Sequence, residues 1–246
     1  MDADTLTQST SWSARECQIL EALSLKVRCL TTEQLSAGWF GHLRPEHVIE
    51  RMEPLTLTGL AERRQVYAHP LIAIRPPVFS WKPGDESPSD SQIHELAEVF
   101  QSRWSDEEVL FDVFVATPEG ASLFGSYITE APANEQWTHD IHVAEIYVDL
   151  MADNSPEDMQ RVVGEGALPK LGLQIRHKKD PDLFVFDEHR RAMNVVEFAG
   201  AYDYEHVKQL HEHCSGGGYS KLHKHFRGSR KHLLYPSPNG TPYVLV

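Results

Sequence analysis

The chain has 246 residues, 41% of them apolar, which is enough for a packed core and long for a single domain. No apolar run approaches the roughly 18 residues of a membrane span, and the acidic, polar start MDADTLTQSTSW has neither the basic start nor the apolar stretch of a signal peptide. Three cysteines, Cys17, Cys29 and Cys214, form no disulfide framework, so a reducing, cytoplasmic setting is expected.

The net charge of −13 is unevenly spread. Residues 1–84 are neutral, residues 85–160 carry 18 acids against the single base Arg103, and residues 161–246 carry 13 bases against 9 acids. Nucleic-acid binding depends on local potential, so either end could hold phosphate while the middle would repel it. The acidic stretch 85–160 reads as a solvated face or as a surface for a protein partner.

Residues 13–60 read as three helices. Ser13 and Glu16 have capping-box spacing at the first, Thr31 caps the second, and Pro45 opens the third, where its missing N–H costs nothing. Val48, Met52 and Leu55 stripe the third helix, and Gly59-Leu60 leads into residues 60–81, which alternate as two strands around His69-Pro70. Three helices followed by a hairpin resemble a winged helix-turn-helix, whose last helix lies in the DNA major groove. Arg44 and Arg51 on that helix, with Arg63 and Arg64 at the base of the wing, are the expected DNA contacts.

Residues 82–92, KPGDESPSDSQ, have linker composition. They divide the chain into a winged helix-turn-helix domain at 1–84, a linker at 85–92 and an α/β domain at 93–246. Beyond the linker a helix is expected at 91–105, a strand at 109–117, a loop at 119–137 and a buried helix at 139–151. Strands follow at 172–178, 183–187 and 193–198, then a helix at 203–214 stopped by Gly216-Gly217-Gly218, and a closing strand at 242–246. Residues 219–232 between them are basic, with Lys221, Lys224, Arg227, Arg230 and Lys231 as a second phosphate-facing set. His206, His211, His213 and Cys214 share one helix, but ligands two residues apart on a helix diverge and no Cys-x-x-Cys exists, so zinc is not expected.

The order helix, three strands, helix, strand in 139–246, with Asp182 at the start of one strand and Glu197 at the end of the next, resembles the PD-(D/E)xK nuclease fold, a restriction-endonuclease-like α/β domain with a central mixed sheet. The resemblance implies that Glu145, Asp182 and Glu197 hold Mg²⁺, which takes hard oxygen ligands and activates water at a phosphodiester. The family lysine would stand at Ala199, and Lys208 of the following helix is the candidate replacement. The pattern His139-x-x-x-Val143-x-Glu145-x-Tyr147-Val148-x-Leu150, followed by Pro181-Asp182-Leu183 and Val195-Val196-Glu197-Phe198 behind a winged helix, is similar to the replication-relaxation family of bacterial, plasmid and phage proteins. That resemblance implies a DNA-associated role in replication control or mobile-element biology. Two readings stay open: a Mg²⁺-dependent DNA endonuclease using Asp182, Glu197 and Lys208, and a non-cleaving DNA-binding regulator or adaptor that keeps the fold as a docking or dimerisation platform.

Overall fold

A computed structural model describes residues 12–126, 131–164, 167, 181–186, 192–216 and 240–246. The chain opens with the expected caps. In α1 (Ala14–Leu25) the Ser13 hydroxyl accepts from the Glu16 N–H at 3.2 Å and the Glu16 carboxylate accepts from the Ser13 N–H at 2.6 Å. After the two-residue β1 (Leu30–Thr31), α2 (Thr32–Trp39) repeats this box with Thr31 and Gln34, and α3 (Pro45–Leu57) starts on Pro45.

The strands that follow do not form the hairpin expected at 60–81. β2 (Ala61–Ala68) is regular, but Pro70, Pro76 and Pro77 lie in the chain beyond it and offer no N–H to a ladder. The partner of β2 is instead β4 (Val109–Ala116), antiparallel over all eight residues from Ala61 opposite Ala116 to Ala68 opposite Val109. β4 also pairs with β1, giving a three-stranded sheet in the order β1-β4-β2. Between β2 and β4 the chain leaves to form β3 (Phe79–Trp81) and α4 (Asp90–Gln101, capped by Ser89) and then returns. The polar stretch 85–92 therefore lies inside an excursion, and the first sheet is completed by residues on its far side.

α5 (Pro118–Leu123) occupies part of the expected 119–137 loop, with the Thr117 hydroxyl accepting from the Gly120 N–H at 3.1 Å. The remaining elements are α6 (Trp137–Asp153), α7 (Pro156–Met159), β5 (Val162–Gly164), β6 (Leu183–Phe186), β7 (Ala192–Glu197), α8 (Tyr204–Ser215) and β8 (Tyr243–Leu245). They build a five-stranded mixed sheet in the order β3-β8-β7-β6-β5, antiparallel throughout except for the parallel pair β7 and β8. A parallel pair needs a crossover, and α8 lies in that connection. The strand expected at 172–178 lies outside the described residues.

The fold is α+β with two sheets, and α6 is buried against both. Trp137 and Ile141 pack with Val66, Val113 and Val115 of the first sheet, while Val143, Ala144, Ile146 and Val148 join a core that runs from Leu23 and Met52 to Leu183, Val196 and Phe198. No described helix is long and apolar enough to cross a membrane.

Two glycines mark close backbone approaches. A Cβ on Gly164 of β5 would stand 1.8 Å from the Lys26 carbonyl oxygen, and one on Gly120 of α5 would stand 2.1 Å from that of Leu60. Gly164→Ala and Gly120→Ala should each lower unfolding stability by roughly 1–3 kcal/mol in urea titrations. Gly41→Ala, at φ +62° with open space around it, should cost only about 1 kcal/mol of left-handed strain. Unchanged denaturation midpoints for the first two would contradict the packing of α1 on β5 and of α5 on the α3–β2 turn.

Candidate functional site

Leu183 of β6 lies opposite Val196 of β7, so Asp182 and Glu197 fall side by side at one end of the sheet. The Asp182 N–H donates to Glu197 Oε2 at 3.2 Å, and Asp182 Oδ2 accepts the Phe198 N–H at 2.7 Å. The Tyr202 hydroxyl donates to Glu197 Oε1. Glu197 is 1% exposed, which fits a carboxylate whose oxygens are taken up by internal donors.

His139, in the first turn of α6, extends the network. Its Nδ1 is 3.1 Å from Asp140 Oδ1, and its Nε2 lies 3.2 Å from Asp182 Oδ1, at ion-pair distance but off the hydrogen-bond line. Arg28, just after α1, stands 3.7 Å from Asp140 Oδ2 and donates to Gln136 Oε1 at 3.1 Å. A continuous polar relay thus runs Arg28, Asp140, His139, Asp182, Glu197, Tyr202, from the helical N-terminal part to the second sheet. Burial alone would lower the His139 pKa, but the two carboxylates outweigh it and raise it to about 10, so the imidazolium is the working form at neutral pH.

His142, one turn on, behaves oppositely. It stacks on Phe198 with ring centroids 4.7 Å apart and planes 14° apart, and burial lowers its pKa. Its contacts fit a neutral ring, with Nδ1–H donating to the Thr138 carbonyl at 2.6 Å and Nε2 accepting the Ile72 N–H at 3.3 Å. Arg103 closes this side. It lies 5.6 Å from the Phe198 ring centre, and its Nη1 donates to the Val246 carbonyl at 2.9 Å.

The other residues singled out by sequence lie elsewhere. Glu145 accepts from Gln34 Nε2 at 3.0 Å, and Gln34 also donates to the Ile141 carbonyl at 2.8 Å, so this carboxylate ties α2 to α6. Its place six residues along α6 from His139 turns it away from the Asp182 side of the helix. Lys208 is on α8, with Nζ 5.6 Å from the Tyr204 ring centre. Ala199 is fully buried. Among the described residues no three carboxylate, imidazole or thiol groups converge as ion ligands, and Asp182 Oδ1 has His139 Nε2 3.2 Å away. His211 and Cys214 are buried in the core beside Tyr243, with His211 Nδ1 3.0 Å from the Tyr243 hydroxyl oxygen.

Arg44, at the N-cap of α3, and Arg51 on the helix are exposed, but Glu46, Glu50 and Glu53 are exposed on the same helix. Arg63 pairs with Asp112 across the strands and Arg64 with Glu62 of its own strand, each at 2.8 Å. Lys221, Lys224, Arg227, Arg230 and Lys231 lie outside the described residues. The acids of the 85–160 stretch are distributed over α4, β4, α5 and α6, and several are engaged: Asp112 with Arg63, Asp149 and Asp153 with Arg75, and Asp140 in the relay.

Sequence reasoning missed His139, Asp140 and Tyr202 as site members. The available signal was a charged pair on an otherwise apolar helix and a tyrosine five residues past Glu197. Compared with protein-family models, curated protein sequences and solved structures, the chain gives no match.

His139 sets a pH dependence of known sign. A pKa raised from 6.5 to about 10 on folding gives stability that is full below about 6.5 and is lost as pH rises towards 10. Unfolding free energy should therefore fall between pH 7 and pH 10 in the wild type and fall less in His139→Gln. That variant, leaving Asp140 and Asp182 without their shared cation, should also be about 1–3 kcal/mol less stable at pH 7. Parallel pH profiles for the two proteins would contradict the bridging role.

Proposed function

We propose that this chain is a DNA-associated regulator whose N-terminal unit is a winged helix and whose C-terminal part is a nuclease-like core used for binding rather than cleavage. Two topologies support the reading. The order α1-β1-α2-α3-β2-β4 with sheet order β1-β4-β2, after setting aside the β3–α4 excursion, resembles a winged helix whose last strand arrives late. The order α6-α7-β5-β6-β7-α8-β8, with β8 parallel to β7, resembles the helix, three-strand, helix, strand core of PD-(D/E)xK nucleases apart from the short α7. The resemblance to replication-relaxation proteins belongs to the same proposal and rests on the motifs around His139, Asp182 and Glu197.

One observation carries the non-cleaving form. On this reading Asp182 and Glu197 correspond to a nuclease's metal ligands, yet their oxygens accept from the Phe198 N–H, the Tyr202 hydroxyl and the Asp182 N–H, His139 stands at ion-pair distance, and the buried Ala199 occupies the position the resemblance gives to a lysine. Such carboxylates hold the sheet end to α6. A cleaving Mg²⁺ enzyme is the second reading, favoured by the adjacency of the same two acids. It requires His139 to release Asp182 when the ion binds.

DNA contact in this proposal comes from Arg44 and Arg51 of α3 together with the basic run Lys221–Lys231, rather than from Arg63 and Arg64, which are already paired. Exposed pairs of that kind contribute little stability but do reduce the charge offered to phosphate.

Binding and cleavage of supercoiled and linear duplex DNA in Mg²⁺ or Mn²⁺ separates the readings. The expected result is salt-sensitive binding, no cleavage in either metal, and weaker binding by Arg44→Glu/Arg51→Glu. Asp182→Asn and Glu197→Gln should lower thermal stability, by roughly 1–3 kcal/mol at the melting temperature, because each removes acceptors from buried donors. Metal-dependent cleavage abolished by both substitutions without loss of stability would establish the nuclease instead, since relieving an active-site charge cluster is commonly neutral or stabilising.

A further inference from the structure

A half-open groove of about 220 Å³ lies away from the carboxylate relay, where α1, the end of α2, α6 and α7 meet. Its apolar wall is Trp39, Tyr147, Met151 and Met159, and its polar lining includes Gln18, Glu21 and Gln160. Trp39 and Tyr147 face each other with ring centroids 6.5 Å apart and planes 29° apart, so one aromatic surface is set by two different helices. Lys26 also lines the groove and donates from Nζ to the Val162 carbonyl of β5. Glu21 has no ion pair among the described residues, and its charge is near enough to Tyr147 to add to the rise that burial gives that phenol.

We infer that this groove binds a small planar heterocycle carrying N–H donors, of nucleobase size, stacked against Trp39 and Tyr147 and hydrogen-bonded to the Glu21 carboxylate. Size sets the upper limit, since the volume is below the roughly 300–1,000 Å³ of sites that enclose drug-sized ligands. A dinucleotide does not fit; a base with its sugar directed through the open side does. The wall chemistry sets the class. Rings and thioethers favour a flat polarisable ligand, and a carboxylate at the wall selects one that donates hydrogen bonds. Gln18 and Gln160 add amide groups that both donate and accept.

The groove also joins the two parts of the fold. Glu21 belongs to the N-terminal helical unit, while Tyr147 and Met151 are on α6, and α7 leads directly into β5. A ligand held there contacts both at once and stabilises their docking by mass action.

The test uses the full chain titrated with guanosine, adenosine and cytidine, followed by calorimetry and by the Trp39 indole N–H signal in nitrogen-15 NMR, assigned with Trp39→Phe. The expected result is saturable one-to-one binding of at least one nucleoside, a shifted Trp39 signal, a raised melting temperature, and a roughly tenfold loss of affinity in Glu21→Gln. Gln18→Ala, at an exposed position on the rim, is a second variant that should also weaken binding while keeping the wild-type melting temperature. No saturable binding of any of the three, or binding that leaves the Trp39 signal and the Glu21→Gln and Gln18→Ala affinities unchanged, would overturn the inference. Neither result depends on whether the chain binds or cleaves DNA.

Discussion

The fold is arranged around a helix whose first three turns leave little side to solvent. α6 packs Trp137 and Ile141 onto the first sheet and Val143, Ala144, Ile146 and Val148 into the core shared with the second, while His142 lies flat on Phe198. A helix enclosed in this way cannot be amphipathic in the ordinary sense. The polar groups of those turns are largely shielded from water and find partners inside the protein. His139 and Asp140 do so with Asp182 and Arg28, and Glu145 does so with Gln34. The polar relay is thus a direct consequence of burying one helix between two layers.

The relay makes the junction between the layers specific. Apolar contact alone would let α6 slide or rotate against the sheet at small cost, since hydrophobic burial is not directional. Hydrogen bonds and ion pairs in a poorly hydrated setting have strict geometry and are costly when broken singly. Asp182 reads the position of β6 against β7 through the Phe198 N–H and the position of α6 through His139. One carboxylate therefore fixes both the strand register and the helix docking.

Much of the architecture was legible from local signals. Ser13 with Glu16, Thr31 with Gln34 and Pro45 located three helix starts, because caps are set by residues within one turn. The strands 183–186 and 192–197, the helix 204–215 and the adjacency of Asp182 with Glu197 were also readable as short apolar runs with acids at their ends. Strand partnership was not. Pairing β2 with the next apolar segment is the local choice, yet the prolines after Ala68 remove it and β4 takes its place some forty residues on. Nothing within 60–81 encodes that partner. The contact of Glu145 with Gln34 was not legible for a similar reason: a motif gives the spacing of a residue, while the direction of its side chain depends on which neighbours its helix touches. His139 was visible only as a motif position, since its partners Asp140 and Asp182 are separated by 42 positions from one another and converge only in three dimensions.

The seating of β8 has a consequence for how the molecule is made. Residues 243–245 lie in the interior of the five-stranded sheet, between β3 and β7, and β3 has no other strand partner among the described residues. During synthesis the segment around Phe79 leaves the ribosome long before Tyr243 does, and at about 5–20 residues per second the interval is many seconds. Throughout it Trp81 lacks the Tyr243 and Leu245 that share its core cluster, and Phe184 lacks them from its own synthesis onward. Until β8 has been made, β3 has no strand beside it among the described residues and β7 lacks its parallel neighbour, so closure of this sheet is a late event in synthesis.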